Sequence, residues 1–288
     1  LLLANLLGRV GLDICVVEAR TEPRLHSMAI GITPPSLDVL GDLGLSDAFI
    51  RAGVCIHRAT VHENRAPAGR LGFAGVDGTH RYILSLPQAE TERLLEERLR
   101  AEPTVRLQRG WAVTVLRRRR GGASLEARET GSGRERTLHA RFVIACDGAH
   151  SLVRELARVR TRRKSYSPCF TMADYVDTTD LGDEAHLYFS PERPVESFPL
   201  PGGYRRWIVR TGWRDETDLC EPFEQTIARL TGHRLPSAAC VWRSGFHPRR
   251  HELRRFFSGP LVFCGDAAHG MSPIGGQGMN TGFGDAAL

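Results

Sequence analysis

The tightest constraint on this chain of 288 residues lies near its end, in Leu261-Val-Phe-Cys-Gly-Asp-Ala-Ala-His269 and the glycine-rich run that continues to Asn280. Four apolar residues, Leu261 to Cys264, read as a short buried strand. Gly265-Asp266 stops it. A loop carrying Gly275, Gly276 and Gly278 follows, and Thr281 to Leu288 reads as the first turns of a helix. Glycines let a backbone lie close against a flat or phosphorylated ligand. The N–H groups and dipole at a helix N-terminus favour electron-rich atoms. Asp266, at the carboxyl end of the strand, can accept hydrogen bonds from sugar or polyol hydroxyls, and open α/β sheets bind ligands at such strand ends. A plain turn between strand and helix would share parts of this pattern.

Two more stretches have the same logic. Phe142-Val-Ile-Ala-Cys146 reads as a buried strand ending at Asp147-Gly148, with a helix starting near Ser151, a good N-cap. At the other end of the chain, residues 1–9 read as an apolar helix ended by Gly11, and Leu12 to Val17 as a buried strand closed by Glu18. A helix leading into a strand that ends in an acid is the second half of a βαβ dinucleotide unit, whose acid binds ribose hydroxyls. The strand and G-x-G-x-x-G that would come before are not in this sequence, so it reads as a fragment without them. An ordinary solvated carboxylate is the alternative for Glu18.

At these residues the chain resembles a family. Gly265-Asp-Ala-Ala-His269, Pro273 and Gly275-x-x-Gly278-x-Asn280 resemble the second flavin motif of single-component FAD-dependent aromatic hydroxylases, the para-hydroxybenzoate hydroxylase class. Cys146-Asp-Gly-x-His150 resembles the Asp-Gly motif of the same family. The resemblance implies an α/β fold: a Rossmann-like FAD-binding domain of the glutathione-reductase type, interrupted by a mainly antiparallel substrate sheet. It places the FAD-binding domain at residues 1–55, 87–160 and 252–288, and the substrate-binding domain at 56–86 and 165–251.

The resemblance also implies cofactors and roles. FAD is held, and NADPH or NADH visits as hydride donor. Glu18 binds the adenosine ribose, and Gln88, at the start of a helix, faces the flavin side chain. Asp147 and Gly148 lie near FAD and the nicotinamide nucleotide, with His150 near the pyrophosphate of that nucleotide and Arg154 beside them. Gly265 and Asp266 serve the ribityl and phosphate region. Gly278, Met279 and Asn280 offer backbone N–H groups to the pyrimidine end of the flavin and stabilise its reduced form, while Gly275, after Pro273, borders the reactive edge. Pro273 shapes the wall beside the reactive edge and is the one catalytic candidate. The implied reaction is hydroxylation of an electron-rich aromatic ring with dioxygen, the cofactor carrying the hard chemistry. Relatives often carry Arg-Ala-x-Gly where this chain has Met28-Ala-Ile-Gly31, so one contact is altered; Arg24 is a substitute or a solvated loop charge.

Between the motifs, Thr33-Pro34 reads as a helix start whose buried face is Leu37, Leu40 and Leu43. Residues 56–86 and 169–245 alternate and turn like antiparallel strands. Pro87 to Leu99 and about Glu221 to Thr231 read as amphipathic helices. Phe189, Phe198, Trp207 and Trp242 are candidates for an aromatic pocket or for core, and Arg206 or Arg210 for pairing with a substrate carboxylate. Arg158 to Lys164 reads as a solvated connector, and the four arginines from Arg117 to Arg120 as a hairpin tip.

Composition narrows the partners. The net charge is +6, and one lysine stands among 39 basic residues. That charge suits an anionic cofactor or acidic substrate. No nucleic-acid motif accompanies it, so no nucleic acid is expected; the small aromatic substrate is what the resemblance implies. Seven cysteines, odd in number and never in Cys-x-x-Cys, argue against a disulfide frame or zinc site and for the reducing cytoplasm. No apolar run has transmembrane length. The oligomeric state is open, a homodimer included. Competing readings are a fragment unable to hold FAD, a flavin epoxidase, and a halogenase, which would need a lysine near the flavin where Lys164 sits in a connector. A nucleic-acid module rests on charge alone.

Overall fold

Short apolar runs separated by glycine turns produce strands along most of the chain, and these sort into six sheets among the described residues. The structure is a computed structural model describing residues 1–25, 28–165, 169–211, 221–271 and 276–288. The chain crosses four times between two units. Unit 1 comprises Leu1–Ser27, Ala89–Ser165 and Arg249–Leu288, and unit 2 comprises Met28–Gln88 and Tyr166–Pro248.

In chain order, unit 1 opens with α1 (Leu2–Arg9) and β1 (Ile14–Glu18). Unit 2 takes β2 (Gly31–Ile32), α2 (Pro34–Asp42), α3 (Ser46–Ala52), β3 (Val54–Ile56), β4 (Arg58–Glu63), β5 (Ala66–Gly72) and β6 (Ile83–Ser85). Helix α4 (Gln88–Arg100) leads back to unit 1, which continues with β7 (Val105–Arg109), β8 (Trp111–Arg119), β9 (Gly122–Glu129) and β10 (Glu135–Ala140). Then come β11 (Val143–Ala145), α5 (Leu152–Leu156) and β12 (Thr161–Ser165). Unit 2 resumes with β13 (Cys169–Val176), β14 (Ala185–Phe189), β15 (Val195–Leu200), β16 (Tyr204–Thr211), α6 (Phe223–Thr231) and β17 (Cys240–Phe246). Unit 1 closes with β18 (Arg249–Leu253), β19 (Phe257–Ser258), β20 (Leu261–Phe263), β21 (His269–Gly270) and α7 (Gly278–Ala287).

The parallel pairs of unit 1 are β1 with β7 and β11 with β20. Antiparallel hairpins β8-β9-β10 lie beside them in sequence, and β8 keeps its arginines in the ladder, Arg119 opposite Gly122, so the tip shrinks to Arg120-Gly121. Helix α1 packs on β1, β7 and α7. Its Gly8 allows the close approach: a Cβ there would lie 2.6 Å from Glu102 Cγ and Val105 Cγ2. Val143, Ala145, Leu261, Phe263, Ala267 and Ala268 form the core under the motif loops.

One expectation fails here. Thr161 to Lys164, the second half of the stretch read as a solvated connector, belongs to the strand Thr161–Ser165, paired antiparallel with Arg249–Leu253. Charge density predicts exposure, but a ladder partner some ninety residues away is invisible to any local pattern.

Unit 2 is built on a seven-stranded sheet ordered β17-β13-β16-β15-β14-β4-β5, antiparallel except for β14 beside β4. Residues directly opposite in a ladder share a face. Ser197 lies opposite Trp207, Val195 opposite Val209, and Trp207 opposite Ala173. That face meets α6, whose Phe223, Ile227 and Leu230 complete a buried cluster with Tyr175, Tyr188, Trp207 and Val209. A fully buried Phe or Ile in such a cluster contributes about 1.5–3 kcal/mol. Trp207 therefore belongs to core, whereas Phe198, Arg206, Arg210 and Trp242 stand on the opposite face. The β15–β16 turn uses Gly202 and Gly203, both at φ +78, a backbone state that side chains with a Cβ rarely adopt.

The buried face is pinned by Arg205, fully buried, which donates from Nε to Asp177 Oδ2 at 2.8 Å, from Nη1 to Ser197 Oγ at 3.2 Å, and to the Gly182 carbonyl. Burial pushes the Asp177 carboxyl up, but hydrogen bonds from Thr179 and Arg205 outweigh it and hold the group below the usual range.

Candidate cofactor-binding site

The two aspartates singled out by the sequence lie at the ends of neighbouring strands. β11 and β20 run parallel with Val143 opposite Leu261, Ile144 opposite Val262 and Ala145 opposite Phe263. The pairing extends one step past the strands, where Cys264 N donates to Ala145 O at 3.0 Å. Asp147 and Asp266 follow at once, both at carboxyl ends and both exposed. Buried strands are expected here because Val143, Ala145, Leu261 and Phe263 fill the core, while the glycines after them break the ladder. Between the aspartates and the strands sit Cys146 and Cys264. The hydrogen bond between these thiols lowers Cys146 from its ordinary pKa and raises Cys264.

After Asp147 the backbone turns at Gly148, φ +81. Asp147 Oδ2 accepts from Val153 N at 3.0 Å, and Ser151 Oγ accepts from Arg154 N at 3.0 Å, so both side chains cap the start of α5. Arg154 is buried at 5% exposure. Its Nη1 donates to Ala267 O at 2.8 Å and its Nη2 to Ala149 O at 2.6 Å. His251 donates from Nε2 to Asp266 O at 2.7 Å. Arg154 and His251 thus tie the Asp-Gly loop to the Gly-Asp loop through backbone carbonyls. His150 is exposed beside them.

Beyond Gly265, φ +58, the chain meets α7 glycine on glycine. A Cβ on Gly265 would lie 3.7 Å from Gly282 Cα, and one on Gly282 would lie 3.6 Å from Gly265 Cα. Asp285 fixes this contact: its Oδ2 accepts from Gly265 N at 2.7 Å and from His269 Nε2 at 2.7 Å. The sequence reading missed Asp285. The first turn of α7 carries Gly278, Met279 and Asn280, whose N–H groups have no i−4 carbonyl inside the helix. The Asn280 side chain is buried and donates to Gly276 O at 3.3 Å, holding the loop it follows.

Glu18 ends the other parallel pair, β1 with β7, where it lies opposite Arg109. Its Oε1 accepts from Arg20 N at 2.9 Å. Gln88 is the last residue of unit 2, and its N–H donates to Ala29 O at 3.0 Å. Pro273 and Gly275 lie outside the described residues. The structure therefore brings together Asp147, Gly148, His150, Arg154, Gly265, Asp266, Gly278, Met279 and Asn280, with Glu18 in the same unit on its own strand pair.

These residues fit a dinucleotide. Two carboxylates stand exposed at adjacent strand ends, and a helix N-terminus of ten residues opens beside them. Among the described residues, a Cβ at Gly276 or Gly278 would meet nothing within 4 Å. Hydroxyl-rich and anionic parts of a ligand match that donor and acceptor set.

The chain matches the FAD binding domain family over residues 1–288 and belongs to it. FAD is the cofactor of that family. Among individual proteins, it is 30% identical to an uncharacterized aromatic compound monooxygenase, YhjG, of Bacillus subtilis (strain 168), an alignment covering 99% of this chain and 57% of the relative. It is 28% identical to a rifampicin monooxygenase of Rhodococcus hoagii, covering 99% of this chain and 60% of that one. The chain thus spans less than two thirds of these relatives. The fold matches that of p-nitrophenol 4-monooxygenase PnpA from Pseudomonas putida DLL-E4 with a TM-score of 0.88 at 22% identity, covering 99% of this chain and 74% of that one. The α/β class, with a β-rich second unit, stands as read from the sequence.

Proposed function

We propose that the protein to which this chain belongs is an FAD-dependent monooxygenase that hydroxylates an aromatic, phenolic substrate with NAD(P)H and dioxygen. The observation that carries this reading is the pairing of β11 with β20, which sets Asp147 and Asp266 at adjacent strand ends beside the glycine loop. The relatives named monooxygenases over 99% of this chain support it. FAD, when bound, supplies hydride acceptance and oxygen activation.

This chain's residues would hold and orient it. Glu18 would accept from the adenosine ribose, and Asp266 and Asp147 from the ribityl hydroxyls, directly or through water. The N–H groups of Gly278, Met279 and Asn280 would donate to the pyrimidine end and stabilise negative charge there. Arg154 and His251 would act behind the site by fixing the loops. His150 would meet the pyrophosphate of NADPH or NADH, Gln88 the flavin side chain, and Pro273 and Gly275 the reactive edge.

The partner in this reading is a small aromatic molecule, with no nucleic acid, and the compartment is the cytoplasm, supported by the scattered, odd cysteines. Among the described residues no helix is long and apolar enough to cross a membrane. The experiment is NAD(P)H oxidation by the purified full-length protein with a panel of phenols. Stimulated oxidation and a product carrying one added oxygen are expected. A flavin-loaded protein that oxidises NAD(P)H at the same rate with and without every phenol, and adds no oxygen to any, would reject the reading.

A further inference from the structure

The large sheet of unit 2 has one face sealed by α6 and another that carries a row running across six strands: Val61, Leu187, Glu196, Ile208, Met172 and Ser244, each directly opposite the next. Glu196 is the single ionisable member, on the middle strand β15 and flanked by Leu187 and Ile208. It is half-buried and has no hydrogen-bond or ion-pair partner among the described residues. An isolated carboxylate between aliphatic neighbours costs stability, and folds keep such groups where a ligand uses them.

The cations of this face do not serve it. Arg206, 2% exposed, is clasped by Asp174, Nε to Oδ1 at 2.6 Å and Nη2 to Oδ2 at 2.8 Å. Its Nη1 donates to Met28 O at 2.6 Å, and its guanidinium lies 4.7 Å from the Trp242 ring. Arg210 is exposed near the end of β16. The face therefore presents an unneutralised acceptor within apolar surface, with its one buried guanidinium already spent.

We propose that Glu196 reads the substrate: it accepts the hydroxyl proton of a neutral phenol, and its charge turns aromatic carboxylates away. This rests on the monooxygenase reading and adds to it the residue that accepts the phenol proton and the discrimination against aromatic carboxylates. A phenol lays its ring on the Leu187–Ile208 surface and donates its O–H to Glu196. In the activating step the phenol O–H bond breaks, an O–H bond to a Glu196 oxygen forms, and the electron pair left on the phenolate oxygen enriches the ring carbons ortho and para to it. Burial pushes the Glu196 carboxyl up from its ordinary value, which suits a proton acceptor. The other charged or titratable groups on the elements around β15 are Tyr204, Arg205, Arg206 and Arg210 on β16, His186 and Tyr188 on β14, Cys55 on β3, and Glu224 and Arg229 on α6. Burial alone accounts for the shift.

The test is calorimetric titration of the full-length protein with meta-cresol and meta-toluate, for wild type and Glu196→Gln, across pH. Wild type should bind meta-cresol in preference to meta-toluate. Glu196→Gln should weaken meta-cresol by about tenfold or more, the loss of a hydrogen bond to a charged group, and should tighten meta-toluate. The wild-type preference should fade in acid, where Glu196 is protonated, and that pH dependence should vanish in the variant. Wild type that binds meta-toluate equally well, or a variant with unchanged affinities and pH profile, overturns the proposal. Phenol-stimulated NAD(P)H oxidation, followed in parallel, separates the two claims. The predicted binding pattern without oxidation leaves Glu196's role standing and removes the monooxygenase reading. Oxidation with an indifferent variant does the reverse.

Discussion

Arg154 donates from Nη1 to the carbonyl of Ala267 at 2.8 Å, joining positions 113 residues apart. The same guanidinium reaches Ala149 O at 2.6 Å. A buried cation thereby spans the loops that carry Asp147 and Asp266. Arg154→Met should keep the aliphatic packing and leave these carbonyls without a donor. We expect a loss of about 2–4 kcal/mol in urea unfolding, together with a lower flavin content after purification. Unchanged stability would mean that the loops hold each other without it.

Gly278 and Gly265 should respond in opposite ways. Gly278 starts α7, and among the described residues a methyl there meets nothing within 4 Å. Gly278→Ala should therefore match wild type or gain up to about 1 kcal/mol, yet bind FAD more weakly, because the methyl enters ligand space. Gly265 sits at φ +58 against Gly282. Gly265→Ala should cost about 1–2 kcal/mol from backbone strain. Thermal unfolding of the flavin-free proteins and FAD titration of each variant measure both effects.

In unit 2, Arg205→Met should be among the most damaging single changes. It strips the Nε donor from Asp177 and leaves that carboxylate part-buried without its cation. Removing one partner of a buried pair costs about 3–5 kcal/mol, readable in urea unfolding near neutral pH. The Asp177 carboxyl is held below its ordinary value in the folded state, so its contribution exists above the unfolded pKa and is lost as pH falls through the folded one. The penalty of the variant should accordingly shrink in acid. A penalty that is constant with pH would assign the loss to packing.

Glu196 carries the opposite sign. Its folded pKa is raised by burial, so the native state holds its proton longer than the unfolded chain does. Stability from this group is complete below the unfolded pKa and is lost as pH rises through the folded value. Glu196→Gln should match wild type below about pH 4 and exceed it at neutral pH. Urea unfolding at both conditions checks this. A variant less stable than wild type at neutral pH would show that the ionised carboxylate has a partner within the fold.

The parts of the site legible in the sequence were those written as local pattern. Leu261–Phe263 before Gly265-Asp266, Val143–Ala145 before Asp147-Gly148, and the capped start at Ser151 each lie within a few residues and form where read, though Phe142 and Ile144, read as buried, are exposed at 60% and 37%. What escaped depends on distance along the chain. Asp285 is bound to residues 20 and 16 positions earlier, across a loop whose path no periodicity encodes. Arg154 stood among candidate ligand residues, and burial shows its guanidinium directed at backbone carbonyls. The run at Thr161–Ser165 became a strand because Arg249–Leu253 supplies a ladder. Trp207 and Trp242 looked equivalent as aromatic strand residues. Register alone puts Trp207 under α6 and Trp242 on the other face.

The proposed place for FAD is the ends of β11 and β20. The FAD dissociation constant of the full-length protein, by titration of the flavin-stripped form, tests that directly in wild type, Asp266→Ala and Asp147→Ala. We predict tight binding by wild type and a loss of about tenfold or more in each variant, the worth of a hydrogen bond to a charged group. Equal affinity in all three proteins would contradict it.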